Sequence, residues 1–138
     1  MDNKKKYKNQ YIPKSLSDAD KKKQIKSIKE KTIRPKLKSF QSKPSKYTEA
    51  FNKKYGDKLS KMKGGKSKRN ISKVTGIPFK ALDEVYKKGT GAYFSGGSRP
   101  NQTPQSWSRA RMYSYIMGGR SRQVDKEITK KYNVKFRD

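Results

Sequence analysis

A formal net charge of +27 on 138 residues is the feature that most limits what this chain can become. Self-repulsion on that scale opposes a compact state unless an anionic partner offsets it. The surplus arises from 38 lysines and arginines against 11 aspartates and glutamates, while only 29% of residues are apolar. Globular chains hold about 45–50% apolar residues when glycine is counted, and the 10 glycines here do not close that gap. A single core spanning the whole length is therefore not expected. The charge calls for a polyanion or a large acidic assembly as partner and does not say which.

Two absences narrow the function further. The chain has no Cys and no His. Disulfides, thiolate metal sites, the commonest general base and the commonest metal ligand all go with them. The expectation is a binding protein, not an enzyme, with no cofactor and no metal. No apolar run approaches the roughly 20 residues that span a bilayer, and no secretory h-region follows the basic start. A soluble, intracellular protein without a membrane-spanning segment is expected.

The charge is unevenly distributed. Residues 1–69 hold 24 Lys/Arg and 6 Asp/Glu, whereas residues 70–138 hold 14 and 5. Arg34 and Arg69 are the only arginines of the first half; the second carries Arg99, Arg109, Arg111, Arg120, Arg122 and Arg137. Lysine is a hydrated point charge, and arginine a planar fork suited to fixed contacts. The pattern predicts a mainly α protein: a basic extended arm over 1–69, then a compact module of about four helices over 70–138.

Within the arm, Ser17 with Asp18 and Asp20 reads as a helix start, and Arg34-Pro35 as its end. A second short helix should carry Tyr47, Ala50, Phe51 and Tyr55, with Gly56 as its stop. Lys63-Gly64-Gly65-Lys66-Ser67 superficially matches a phosphate-binding loop. The required spacing is not met and no hydrophobic strand precedes it, so it is a joint.

In the second half, Asn70 can cap a helix that Gly76 closes, and Pro78 opens the next, which should end at Gly89. A loop should follow from Thr90 to Gln102. Thr103-Pro104 is a strong helix start, with Trp107, Ala110, Tyr113, Ser114 and Met117 as the buried stripe and Gly118-Gly119 as the stop. A last helix over 122–132 should bury Val124, Ile128 and Tyr132, with Asn133 as terminator.

Residues 71–86 have the look of a helix-turn-helix, with Gly76 in the turn. Lys80 is followed by Asp83 and Glu84, which would repel phosphates, so a helix pair that only builds core is the better account. The aromatics beside cations, including Tyr7, Tyr11, Tyr93 and Phe94, could stack on bases. Without an RNA-binding strand pattern they are better spent as anchors. Asp83, Glu84, Asp125 and Glu127 suit salt bridges more than catalysis, and Arg111 with Asp125 is a natural pair joining the last helices.

The run from Gly91 to Arg111, with Arg99-Pro100, Thr103-Pro104, Trp107 and Ala110-Arg111, then Gly118-Gly119 and Asp125, resembles a small domain of large DNA viruses and tailed phages. The opening from Tyr11 to Pro35 is similar to the N-terminus of algal large-virus members. The resemblance implies a minor structural protein of a large icosahedral DNA virus: a capsid-associated cement or scaffold made in the host cytoplasm. Such a protein would sit on the inner side of the capsid in the virion, lacing major and minor capsid proteins through the arm. The alternative is a nucleic-acid-binding virion protein that condenses genomic DNA without sequence preference. Candidate partner contacts under either reading are Lys4, Lys5, Lys6, Lys14, Arg34, Lys36, Lys38, Arg69, Arg99, Arg109, Arg120 and Arg122. Thr103, Pro104, Trp107, Arg111, Gly118, Gly119 and Asp125 are expected to be structural.

Overall fold

The computed structural model describes residues 7–138. They form seven α-helices: α1 (Asp18–Lys29), α2 (Lys46–Ser60), α3 (Lys68–Thr75), α4 (Phe79–Gly96), α5 (Pro104–Ile116), α6 (Arg120–Val124) and α7 (Lys126–Lys131). No strand occurs among the described residues. The protein is mainly α.

Helix starts follow the hydroxyl-cap rule. Ser17, Ser45 and Ser67 cap α1, α2 and α3, each accepting a backbone N–H from three residues on. At α5 the cap is reciprocal: Thr103 Oγ1 accepts the Ser106 N–H at 3.0 Å, and Ser106 Oγ accepts the Thr103 N–H at 2.9 Å. Asn70 is not the cap of α3. It is buried one turn inside, where its amide donates to the carbonyls of Lys63 and Gly65 at 2.9 Å each and pins the glycine joint. Gly76 does close α3, in the left-handed region at φ 78° that a side chain would strain.

The chain forms two compact units, one of residues 1–43 with 90–107 and the other of residues 44–89 with 108–138. This division differs from an arm and a module parted at residue 69. The reason lies in α2, whose apolar stripe is longer than expected. The helix does not stop at Gly56, and Leu59 extends the row of Phe51 and Tyr55; all three are buried. They join Ile71, Ile77, Leu82, Val85, Met112, Tyr113, Tyr115, Ile116, Ile128 and Val134 in the core of the second unit, where Phe51 stacks on Tyr113 at 4.3 Å between ring centroids.

Helix α4 runs through Gly89 and Gly91 to Gly96, so the expected loop is helical for half its length. The stripe of α5 is rotated from the expected one. Ser108, Met112, Tyr113, Tyr115 and Ile116 are buried, whereas Trp107, Ala110, Ser114 and Met117 are half-buried. The last expected helix is two short ones, and Val124 is exposed at 58%. The break falls at Asp125, whose carboxylate is drawn inward to Arg111.

The first unit buries little hydrocarbon: Leu16, Ile28, Leu37 and Tyr93. Its interior is polar instead. Gln24, fully buried, donates to the carbonyls of Tyr11 and Ser98. Asn101, at φ 63°, clamps the extended segment before α2 by bonding both the N–H and the C=O of Leu37. Trp107 lies half-buried with its ring edge-on to Tyr11 at 6.0 Å.

Candidate polyanion-binding surface

The candidate contacts do not all face solvent. Lys14, Lys36, Lys38, Arg69, Arg99, Arg109 and Arg120 are exposed, while Lys4, Lys5 and Lys6 lie outside the described residues. Arg34 is 4% exposed and is not a surface contact. Its Nη2 donates to the Tyr93 carbonyl at 2.6 Å, its Nε to Ser98 Oγ at 3.2 Å and its Nη1 to Ser27 Oγ at 3.3 Å. The guanidinium also lies 4.4 Å from the centre of the Tyr93 ring, and the Arg34 N–H donates to the Tyr93 hydroxyl at 2.7 Å. Burial pulls the Arg34 pKa below the ordinary arginine value, and the Tyr93 contacts oppose that shift. A planar fork meets three acceptors at once, which a lysine ammonium on a flexible stem cannot do. This cation therefore builds the first unit.

Elsewhere four carboxylates are held by the chain's own cations. Asp83 pairs with Lys68 at 2.8 Å and Lys87 at 3.0 Å, Glu84 with Lys131 at 3.1 Å and Asp138 with Arg122 at 2.7 Å. Hydrogen bonds from Lys68 and Lys87 hold the Asp83 carboxyl below the usual carboxylate range. The Tyr132 hydroxyl does the same for Glu84, helped by Lys131, and Arg122 for Asp138. Asp20 is likewise lowered by bonds from the Ser39 hydroxyl and N–H. Among the described residues, only Lys68, Lys87, Arg111, Arg122 and Lys131 stand in ion pairs with carboxylates. Most of the remaining lysines are exposed, and they far outnumber the exposed acids Asp18, Glu30, Glu49, Asp57 and Glu127 that share the surface with them.

The helix pair α3–α4 carries acids as well as cations on its surface. Asp83 and Glu84 lie early in α4, where they pair with Lys68, Lys87 and Lys131. Arg69 lies over the Phe79 ring at 5.0 Å. The pair builds core with Ile71, Ile77, Leu82 and Val85.

One concave region collects several cations. An open groove of about 710 Å³ in the second unit is lined by Arg120, Arg122, Lys126 and Lys130, with Val124 and Phe136 among its apolar walls. Gly118, at φ 82°, turns the chain so that α6 begins beside the end of α5. Arg122 is then held from below: it donates to the carbonyls of Tyr115 at 3.1 Å and Ile116 at 2.7 Å, and its guanidinium lies 3.6 Å from the centre of the Phe136 ring. Arg120 and Arg122 are the two expected candidate contacts that line this groove, and the half-buried Arg122 serves the fold as well. Lys126, Lys130 and the exposed Val124 were missed, because the helical spacing placed Val124 in the core.

The Gly-Pro-Trp-Arg run is also resolved into contacts. Pro104 is buried beside the Thr103 cap, and Arg111 grips Asp125 through two bonds of 2.9 and 2.7 Å. Gly119 is buried where an added Cβ would lie 2.3 Å from Ser114 Oγ and 2.7 Å from the Tyr47 ring. The model of a family of unknown function, DUF5824, matches residues 4–134, and so takes in this run and the basic opening together. The chain belongs to the DUF5824 family. No curated protein and no solved structure matches it. Family membership therefore brings no activity with it, and the chemistry of the surface must speak for function. No helix among the described residues is long and apolar enough to cross a membrane.

Proposed function

We propose that this member of the DUF5824 family is a non-catalytic structural protein of a virus particle. In this reading it is a capsid-associated cement or scaffold on the inner face of a large icosahedral DNA virus. It joins capsid subunits through its lysine-rich surface after synthesis in the host cytoplasm. The observation that carries the reading is the charge balance. Four carboxylates are held by the chain's own cations, and the exposed lysines so outnumber the exposed acids that most are left for acids supplied by a partner. The resemblance of the Gly91–Asp125 run to domains of large DNA viruses supplies the setting.

The test is fractionation of disrupted particles with cross-linking. A cement protein sediments with empty shells and cross-links through Lys14, Lys36 and Lys38 to capsid subunits. Recovery with the genome instead would overturn the reading in favour of a DNA-condensing protein, which the same unpaired lysines would suit through phosphate contacts.

A further inference from the structure

The groove beside α6 and α7 has a chemistry of its own, distinct from the diffuse lysine field. We propose that it receives a short acidic protein segment carrying one aliphatic anchor side chain. The proposal deepens the reading of the chain as a tether for acidic assemblies and rests on it.

Charge sets the sign of the occupant. Arg120, Lys126 and Lys130 line the groove without a carboxylate partner, and Arg122, though paired with Asp138, adds a fixed guanidinium. Carboxylates brought to these cations would meet both a point-charge and a forked donor.

The apolar walls decide between a peptide and a nucleic-acid strand. Single-stranded nucleic acid binds by tracking phosphates along cations and stacking bases on aromatic faces. The aromatic ring here is Phe136, and it is already engaged. The Arg122 guanidinium lies 3.6 Å from its centre, and Tyr115 meets it edge-on at 5.2 Å. What the groove leaves open is Val124, at 58% exposure one of two exposed large apolar side chains among the described residues. A branched aliphatic group offers dispersion contact to another aliphatic group and no face for a base. The volume, about 710 Å³, lies within the range of about 300–1,000 Å³ usual for ligand pockets. Acid for the rim and an aliphatic anchor against Val124 together describe a protein segment.

The test uses the full chain at about physiological salt, where diffuse attraction is screened beyond about 8 Å. Two fluorescent nine-residue peptides are compared, both of aspartate and glutamate, one with leucine and one with serine at the centre. An oligothymidine of matched charge serves as the nucleic-acid probe. The leucine peptide is expected to bind about tenfold tighter than the serine peptide, roughly half or more of what full burial of an aliphatic side chain yields. Val124→Ser should abolish that preference while leaving the fold intact, as judged by circular dichroism. Lys126→Glu with Lys130→Glu should weaken both peptides, and amide shifts should centre on residues 120–136. Equal binding of the two peptides, a preference that survives Val124→Ser, or an oligothymidine that displaces the leucine peptide at equal concentration would each overturn the proposal. Those failures would leave the tether reading standing. Recovery of the protein with the genome in particles would remove that reading without altering the peptide result.

Discussion

Gly89 invites a substitution that the helix would welcome and the packing would not. It lies inside the 18-residue helix α4, where alanine is favoured over glycine by about 1 kcal/mol. A Cβ built there would stand 2.8 Å from the Cα of Ser108 in α5 and 3.2 Å from its Oγ. Carbon atoms rest at about 3.5–4.0 Å, and the obstructing atom is backbone, so the helices must part by a large fraction of an ångström. Overpacking of this kind costs about 1–3 kcal/mol. Set against the gain in propensity, Gly89→Ala should destabilise the protein by up to about 2 kcal/mol. Gly56 is the matched control. It lies inside α2 of the same unit, and its added Cβ would meet only Asn52 Cβ at 3.8 Å, an ordinary contact. Gly56→Ala should stabilise by about 0.5–1 kcal/mol. Urea unfolding followed by helical circular dichroism reads both, with the midpoint moving down for Gly89→Ala and up for Gly56→Ala at unchanged slope. A Gly89→Ala midpoint that rises alongside that of Gly56→Ala would refute the close approach of α4 and α5.

Two further predictions concern charge. Asp125 is 2% exposed and grips Arg111 through both oxygens, so Asp125→Ala should cost about 3 kcal/mol by stranding the guanidinium, whereas Arg111→Met with Asp125→Leu should recover most of it in the same denaturation assay. Asp83 and Glu84 have folded pKa values lowered by Lys68 and Lys87 and by Tyr132 and Lys131. Their stabilisation is therefore present above the unfolded carboxylate range and lost as pH falls below about 4. The thermal midpoint should hold steady from pH 7 to 5 and drop below 4, with a shallower drop in Asp83→Asn/Glu84→Gln; equally steep drops would count against these pairs.

The parts of the fold that could be read from sequence are those fixed by neighbours along the chain. Ser17 beside Asp18 and Asp20, Thr103 before Pro104, and Gly76 after Thr75 each act within one turn, and the structure has helix boundaries at all three. Arg111 and Asp125 meet as charge suggested, because little else could neutralise a buried acid there. The rest depended on partners distant in sequence. Gly89 reads as a stop until Ser108 is seen against it, and Gly56 reads as one until Leu59 joins the core. Arg34 reads as a surface cation because two of its three side-chain acceptors, Tyr93 and Ser98, lie more than fifty residues away and none is charged. Val124 fell on the right helical phase for burial, yet the helix breaks at Asp125 and the phase with it. For the groove, the arginines were visible and the lysines were lost among many others.

The placement of the two kinds of cation has a consequence for chemical control of this protein. The buried or pinned cations Arg34, Arg111 and Arg122 are all arginines, which amine acylation does not touch. Among the described residues the lysines are, with few exceptions, exposed, and of them only Lys68, Lys87 and Lys131 hold ion pairs. The internal contacts thus rest mainly on guanidinium groups, and the surface charge mainly on amines. Acetylation of surface amines would lower the net positive charge stepwise, like a dimmer, while the guanidinium contacts inside both units stayed in place.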